Sequence, residues 1–192
     1  GRAVRRSGAR PGDAILVTGY PGQSAAGLHL LLQSLASEDH PLVKAYNKPS
    51  HRAWEGRAVC LAGCATAMID TSDGFLGDLG HICEESGVGA ELFEDRLPLS
   101  DDLRKAALKL HQDPYDLFLG ESDDYELVIT CRPQDVAGLR SVITQVCPVL
   151  LTEVGRVTDE AGKITLLLPD GEKRPVKRSG WDHFRLTGDS KT

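Results

Sequence analysis

The sequence is short of positive charge, of long apolar runs and of ordered cysteine pairs. Its 192 residues carry 28 acidic side chains against 22 basic ones, a formal net charge of −6. Proteins dedicated to nucleic acid normally show a basic footprint, so this balance argues against a nucleic-acid partner. No apolar run reaches the roughly 18 residues of a membrane span, and no signal-peptide pattern begins the chain. We therefore expect a cytoplasmic protein with no membrane partner.

The cysteines and histidines lack the spacing of a disulfide framework, a zinc site or a nucleophilic triad. There are five cysteines, an odd number, and they are irregularly spaced, which is typical of reduced thiols. Cys60 and Cys64 fit on one helix face, but no second Cys or His pair completes a zinc site, so core packing is the preferred interpretation. No Ser-His-Asp or Cys-His arrangement follows from the spacing.

Apolar periodicity and turn residues predict an α+β domain, with a mixed β-sheet and helices packed on it. The hydrophobic fraction of 41% is enough for a core. Residues 38–50 contain Pro41, Asn47 and Pro49 and are expected to be mostly loop. Strands at 149–157 and 163–168 look like a hairpin closed around residues 160–162. The other predicted strands are 14–19, 66–70, 88–93 and 125–131, and the predicted helices are 24–35, 51–64, 73–86, 101–111, 115–119 and 133–146.

The first candidate site is an acidic turn, residues 70–74, which joins an apolar strand to a helix. Asp70, Ser72 and Asp73 stand together there, and Gly74 follows. Carboxylates at a strand end are well placed to hold Mg²⁺ beside phosphates, and the amides at a helix start favour an anion. Asp73 would repel that anion unless a metal ion lies between them. The alternative is that Ser72 or Asp73 is an ordinary N-cap, which leaves Asp70 unexplained.

A second acidic segment, residues 121–126, precedes another predicted strand. Alternation along a strand places Asp124 and Glu126 on one face and Asp123 and Tyr125 on the other. Solvated acids on an edge strand and a functional cluster are equally good interpretations of this spacing. Residues 19–24 have the glycines of a phosphate-cradling turn but lack the lysine of a P-loop, so a simple connecting turn is preferred.

Several ordered motifs resemble those of thiamine-monophosphate kinases. Residues 6–13, 17–19 and 24–28 resemble the start of the second domain of these kinases, and residues 67–74 with 78–82 are close to their central motif. Three further segments also resemble segments of these kinases: residues 97–100, 124–127 and 180–184. The resemblance therefore covers roughly residues 5–184. The wider superfamily, named for aminoimidazole ribonucleotide (AIR) synthetase, shares this C-terminal domain.

The resemblance implies an activity and a set of site residues. A kinase of this family phosphorylates thiamine monophosphate to thiamine diphosphate with ATP, by direct transfer and with several Mg²⁺ ions. The matching positions imply that Asp70 and Asp73 bind metal, that Ser72 contacts ATP, and that Asp123 and Trp181 contact the substrate. Phosphoryl transfer depends on positioning and charge neutralisation more than on a covalent nucleophile, so no catalytic residue is assigned.

Two departures from the family pattern keep alternatives open. Glu121 and Ser122 replace a glycine pair of the family, and Asp123 replaces a glutamate. The acceptor is therefore open to a different phosphate-bearing or carboxylated molecule, as in another ATP-dependent enzyme related to AIR synthase. A third possibility, from a different class, is a non-catalytic domain that binds a ligand with the inherited fold.

The resemblance also implies that an N-terminal ATP-binding domain is missing. The chain begins with Gly1 instead of Met, and we expect a fragment of a longer protein. Residues 1–13 are expected to be the linker from the missing domain, 14–186 one domain like the C-terminal domain of AIR synthase, and 187–192 a disordered tail. For the arginine-rich start, a solvated, mobile end is slightly preferred over a hinge or a phosphate-contacting segment. The full-length protein is expected to be a homodimer, and the isolated fragment to be inactive.

Overall fold

In the computed structural model, which describes residues 3–176, a seven-stranded sheet carries helices on both faces. The strands are β1 (Ala14–Thr18), β2 (Ala65–Asp70), β3 (Gly89–Phe93), β4 (Leu127–Cys131), β5 (Leu151–Thr158), β6 (Ile164–Leu167) and β7 (Lys173–Pro175). The helices are α1 (Gln23–Leu32), α2 (Pro41–Asn47), α3 (Ala53–Ala62), α4 (Phe75–Ser86), α5 (Asp101–Leu110), α6 (Pro114–Leu119) and α7 (Val136–Val146).

The sheet is mixed, in the order β2-β4-β1-β5-β3-β6-β7. Neighbouring strands run antiparallel, except that β3 and β6 run parallel. Every residue of the inner strands β1 and β4 is buried, because helices cover both of their faces. The predicted α+β class with a mixed sheet is confirmed.

Two apolar cores lie on opposite faces of the sheet. Helices α3 and α7 pack on one face over alternate residues of β1 and β4, such as Leu16 and Ile129. The other face is covered by α1, α2, α4, α5 and α6, and it buries Val17 and Val128. The alternation of a strand thus divides each strand's side chains between the two cores.

The predicted hairpin between β5 and β6 is wrong, because β3 lies between these two strands. Ala90 of β3 is in register with Val157 of β5 on one side and with Ile164 of β6 on the other. The turn after β5 therefore crosses the end of β3. Gly89 permits this crossing, since a Cβ there would lie 2.2 Å from the carbonyl oxygen of Glu160. Because β5 and β6 are consecutive in the sequence, a local pairing was predicted, but each of them pairs with the earlier strand β3 instead.

The loop predicted for residues 38–50 is also wrong in its middle, where α2 forms. Pro41 stands in the first turn of this helix, where its missing N–H costs nothing. The ring of His40 accepts a hydrogen bond from the amide of Leu42 and caps the helix (3.3 Å). Leu42 packs against α1, where Gly27 lets the two backbones approach closely: a Cβ on Gly27 would lie 2.0 Å from the Leu42 carbonyl oxygen. The proline that suggested a loop starts a helix instead.

Helix ends follow the capping signals in the sequence more closely. Ser100 accepts a hydrogen bond from the amide of Leu103 at the start of α5, and Asp113 accepts one from the amide of Tyr115 at the start of α6. Gly87 ends α4 in the left-handed conformation, with φ of 68°. These predicted caps are confirmed.

The first described residues lie along the outer side of β2. The amide of Met68 in β2 donates to the carbonyl oxygen of Arg5 (2.9 Å). The amides of Gly8 and Ala9 donate to the hydroxyl of Ser86 at the end of α4. The side chains of Arg5, Arg6 and Arg10 are exposed, while the backbone that carries them is attached to the domain. Across residues 3–176, no helix has both the length and the apolar character needed to traverse a bilayer.

Candidate functional site

Thr71, which is fully buried, joins the acidic turn to the second acidic segment. Its amide donates to the carbonyl oxygen of Glu126 (2.7 Å), and its carbonyl oxygen accepts from the amide of Tyr125 (2.9 Å). Its hydroxyl accepts from the amide of Glu126 (3.0 Å). A Cβ on Gly74 would lie 2.1 Å from the carbonyl oxygen of Gly120, so only glycine fits at this second meeting point. Segments far apart in the sequence therefore form one unit.

In the acidic turn, a buried carboxylate from α4 holds the backbone. Asp78 Oδ2 accepts hydrogen bonds from the amides of Ser72 (2.8 Å) and Asp73 (3.0 Å). Burial raises the pKa of Asp78, and these two backbone hydrogen bonds oppose the rise. The N-cap position of α4 is Gly74, and no side chain caps it. The interpretation of Ser72 or Asp73 as an N-cap is therefore wrong, and their amides are bound to Asp78 instead of facing an anion.

The second acidic segment uses Asp124 to cap α1. Its two carboxylate oxygens accept from the amides of Gly22 (2.6 Å) and Ser24 (2.8 Å). The hydroxyl of Ser122 accepts from the next amide, that of Ala25 (3.1 Å). Burial raises the pKa of Asp124, while hydrogen bonds from the Ser122 side chain and from the amides of Ser24 and Gly22 lower it. The turn at residues 19–24 is consequently a connection whose helix amides are already bonded within the chain, as preferred from the sequence.

Glu126 is buried in an ion pair that also fastens β1 to the start of α3. Arg52 donates from Nε (2.7 Å) and Nη2 (2.6 Å) to the two oxygens of this carboxylate, and Thr18 Oγ1 donates to it as well (2.5 Å). Glu55 lies 3.8 Å from the same guanidinium. Hydrogen bonding to Glu126 is the main cause of a raised Arg52 pKa. The interpretation of Asp124 and Glu126 as solvated acids on an edge strand is wrong, because both carboxylates are buried and bonded to other parts of the chain.

A cleft of about 490 Å³ opens beside the joined segments. Three of the predicted site residues line it: Ser72 and Asp73 from the acidic turn, and Asp123 from the second segment. The opposite wall comes from α1 and α2, which contribute Ser24, Ala25, Leu28, His29 and Tyr46. The second acidic segment also contributes Glu121 and Ser122. Asp70 lies at the exposed end of β2 and is not part of this lining, and Trp181 lies outside the described residues.

The donor atoms near the cleft suit a hard divalent cation. Asp73, Asp78 and His81 each place one ligand atom within 4.8 Å of the others, and they form a candidate ligand group within residues 3–176. Asp73 Oδ2 lies 3.8 Å from His81 Nε2, and the Asp73 side chain is about half exposed. Asp70 adds an exposed carboxylate at the end of β2. Mg²⁺ prefers oxygen ligands, so the carboxylates of Asp70 and Asp73 fit this ion, whereas the imidazole of His81 is typical of other metals.

The cysteines take no part in this site. Within residues 3–176 none of them forms a disulfide, and none belongs to a three-residue group of metal ligands in that part of the chain. Cys131 is buried, and burial raises the pKa of its thiol to about 12. A thiol with this pKa stays protonated near neutral pH.

Sequence reasoning missed the residues that hold the site together. Thr71 and Asp78 lay inside recognised motifs but carried no assigned role, and Arg52 lay in a predicted helix far from both segments. A signal for Asp78 was available: a carboxylate one turn into a helix can reach back to the amides before it, as in a capping box. Nothing in the spacing pointed to Arg52, whose partner Glu126 is brought near by the sheet.

Three comparisons relate the chain to known proteins. The family model described as "AIR synthase related protein, C-terminal domain" matches residues 10–166. Thiamine-monophosphate kinase of Escherichia coli (strain K12) is 39% identical over 191 residues, which cover 96% of this chain and 56% of that protein.

Solved structures give the same relationship. The crystal structure of thiamine-monophosphate kinase from Stenotrophomonas maltophilia K279a has a TM-score of 0.77 at 32% identity, covering 90% of this chain and 54% of that one. AaThiL complexed with AMPPCP and TMP has a TM-score of 0.74 at 33% identity, covering 94% and 54%. The chain thus spans about half the length of the relatives it matches. Since the family model matches most of its residues and the fold agrees, the chain belongs to the AIR synthase related proteins and represents their C-terminal domain.

Proposed function

We propose that this chain is the C-terminal part of an ATP-dependent phosphotransferase that converts thiamine monophosphate to thiamine diphosphate with Mg²⁺. The observation that carries the proposal is the cleft, where Ser72, Asp73 and Asp123 meet although they come from distant segments. The relatives named thiamine-monophosphate kinases, and the solved complex with AMPPCP and TMP, support this choice of substrates.

Each residue that the sequence assigned to the site has a role in this proposal. Asp70, which is exposed, and Asp73, which is about half exposed, hold Mg²⁺ through their carboxylates, and Ser72 contacts ATP through its hydroxyl. Asp123, which is exposed at the rim, contacts the acceptor, and Trp181 is the proposed second acceptor contact. When bound, Mg²⁺ neutralises phosphate charge and aligns the two phosphate groups. The protein supplies positioning, since phosphoryl transfer depends on positioning and charge neutralisation more than on a covalent nucleophile.

The rest of the machinery is proposed to lie on an N-terminal ATP-binding domain, linked through residues 1–13 to the domain formed by residues 14–186. This accords with a chain that spans 56% of its E. coli relative. The full-length protein is proposed to act as a cytoplasmic homodimer. The isolated chain is expected to be inactive, and turnover of ATP and thiamine monophosphate by this chain at the rate of a full-length relative would overturn that expectation.

The test is carried out on the full-length protein that contains this chain. Formation of thiamine diphosphate from ATP and thiamine monophosphate is measured by chromatography over a range of Mg²⁺ concentrations. Asp70→Asn and Asp73→Asn are each expected to lower kcat/KM by about a hundredfold, since each removes a charge that holds the cation. Ser72→Ala is expected to raise the KM for ATP.

A matched control is Asp101→Asn, which makes the same charge change at an exposed position on α5 outside the cleft. It is expected to leave kcat/KM unchanged. If ATP consumption survives in both Asp70→Asn and Asp73→Asn, the catalytic proposal fails. The domain would then be assigned to non-catalytic ligand binding, the third possibility left by the sequence.

A second candidate is an ATP-dependent enzyme with a different acceptor. Glu121 favours it, because this carboxylate lines the cleft where the resembling kinases have glycine. A glutamate side chain at that place takes up space and adds a charge that glycine lacks, so the cleft can select a different acceptor. If thiamine monophosphate is the acceptor, Glu121→Gly leaves its KM unchanged or lowers it. If the wild-type protein ignores thiamine monophosphate but consumes ATP with another phosphorylated or carboxylated compound, the second candidate is correct.

A further inference from the structure

Asp78 is a buried acidic side chain beside the acidic turn, and neither the sequence motifs nor the proposed reaction assigned it a role. It lies in the first turn of α4 and is only 2% exposed. Its Oδ2 atom accepts from two successive amides, those of Ser72 and Asp73. These are the two residues through which the acidic turn contributes to the cleft lining.

The two amides lie outside the helix, so Asp78 does more than cap α4. Helix α4 begins at Phe75 after Gly74, whereas the bonded amides belong to the two residues before that glycine. Gly74 itself has a φ of 95° and offers no side chain to fix the turn. The conformation of the turn therefore depends on a carboxylate that reaches back from within the helix. Removing it would leave two amide donors without their acceptor, which favours a different backbone path.

The second support of the turn comes from Thr71, on its other side. Thr71 is bonded to Tyr125 and Glu126 through its backbone and hydroxyl. Ser72 and Asp73 thus stand between two anchors, Thr71 before them and Asp78 after them. With both amides bound to Asp78, the side chains of Ser72 and Asp73 line the cleft.

We propose that Asp78 is a positioning residue, which holds Ser72 and Asp73 in the orientation needed for a divalent cation and nucleotide phosphates. The proposal rests on the function proposed above for that cleft. Asp78 also belongs to the candidate ligand group, but its Oδ2 atom is already bonded to both amides, so the role assigned here acts through the backbone of the turn. Partners that orient metal ligands typically change metal affinity or activity by about ten- to hundredfold when they are removed.

Three variants of the full-length protein test this role. Asp78→Ala removes the acceptor, whereas Asp78→Asn keeps one oxygen that can accept from both amides while the charge is lost. Asp113→Ala is the matched control, because Asp113 also accepts from a backbone amide but lies exposed at α6, away from the cleft. The measurements are the Kd for Mg²⁺ by calorimetry, kcat and KM for ATP, the melting temperature, and the hydrogen exchange of the Ser72 and Asp73 amides by NMR.

Asp78→Ala is expected to weaken Mg²⁺ binding by about tenfold or more, raise the KM for ATP and speed exchange at both amides. Asp78→Asn is expected to restore most of the affinity and the slow exchange. Asp113→Ala is expected to lower the melting temperature slightly and leave binding unchanged. The proposal is overturned if Asp78→Ala changes only the melting temperature, or if Asp78→Asn binds Mg²⁺ as poorly as Asp78→Ala, which would indicate a direct charge effect.

The binding and exchange measurements separate this proposal from the proposed reaction. If the wild-type protein makes no thiamine diphosphate yet binds Mg²⁺, the reaction is wrong, and Asp78 is still judged by the change in Kd and in amide exchange. If the wild-type protein binds no Mg²⁺, the positioning role is overturned together with the metal site. If the reaction proceeds and Asp78→Ala binds Mg²⁺ and ATP normally, only the positioning role is overturned.

Discussion

The two acidic segments look alike in the sequence, but their carboxylates have different surroundings. In the second segment, Asp124 and Glu126 are buried and bonded to amides of α1 and to Arg52. In the acidic turn, Asp70 is exposed and Asp73 is half exposed beside the cleft. Neighbouring elements decide this difference: the second segment runs past the start of α1, whereas Asp78 already serves the amides of the turn. A carboxylate is left for a ligand only where the fold has satisfied the local donors by other means.

The largest effect on stability is expected for Glu126→Ala. This variant leaves the Arg52 guanidinium without the carboxylate that accepts two of its hydrogen bonds. Removing one partner of a buried ion pair costs about 3–5 kcal/mol. Urea unfolding measures the change, with Glu153→Ala as the control, because Glu153 pairs with Arg96 at the surface. The control is expected to lose less than about 1 kcal/mol. Equal losses in the two variants would contradict the division between buried and exposed acids.

A smaller loss is expected for Asp124→Ala, which removes the cap from the amides of Gly22 and Ser24. A lost cap with buried donors costs about 2 kcal/mol. Thermal unfolding of Asp124→Ala beside Asp124→Asn measures it, and the asparagine variant is expected to lose less because one oxygen remains. If the alanine variant is as stable as the wild type, Asp124 is not needed as a cap, and a role in binding becomes the better explanation.

The raised pKa of Asp124 gives a pH dependence of stability. Because burial raises this pKa in the folded protein, the folded state binds the proton more tightly than the unfolded chain. The contribution of this group to stability therefore falls as the pH rises, from the ordinary aspartate pKa of about 3.9 up to the raised value. Unfolding free energies measured across this range are expected to fall less steeply in Asp124→Asn than in the wild type. The same slope in both proteins would argue against burial as the cause.

The smallest effect on stability is expected for Asp73→Asn. Its side chain is about half exposed, so the free energy of unfolding should change by no more than about 0.5 kcal/mol. The same urea titration measures it. The variant thus combines near-normal stability with the loss of activity expected above. A stability loss as large as that of Asp124→Ala would mean that Asp73 serves the fold and not a ligand.

Local signals predicted the parts of the fold that depend on local chemistry. Ser100, Asp113 and Gly87 mark helix ends where capping bonds or a left-handed residue are needed, and the structure confirms them. The same local reasoning failed wherever a strand or helix depends on a partner that is distant in the sequence. The strand order around β3, and the burial of Leu42 that turns a proline-containing stretch into α2, are decided by partners that the local pattern does not name.

The candidate site shows the same difference between what local motifs predict and what distant contacts decide. The sequence motifs identified Ser72, Asp73 and Asp123, and the structure brings these three to one cleft. The buried contacts that hold them there escaped prediction, because their partners meet only after the sheet has formed. Asp124 was the hardest case, since alternation predicted only a face shared with Glu126 and gave no hint of the helix start that Asp124 caps.

The segment that runs along β2 from residue 3 has a consequence for handling the protein. Strand β2 is an outer strand of the sheet described for residues 3–176, and one of its outward amides, that of Met68, is bonded to Arg5. An uncovered strand edge is a template for pairing with other chains and for aggregation. A version of the protein trimmed to begin near Arg10 is therefore expected to lose solubility, even though every residue that lines the cleft is kept.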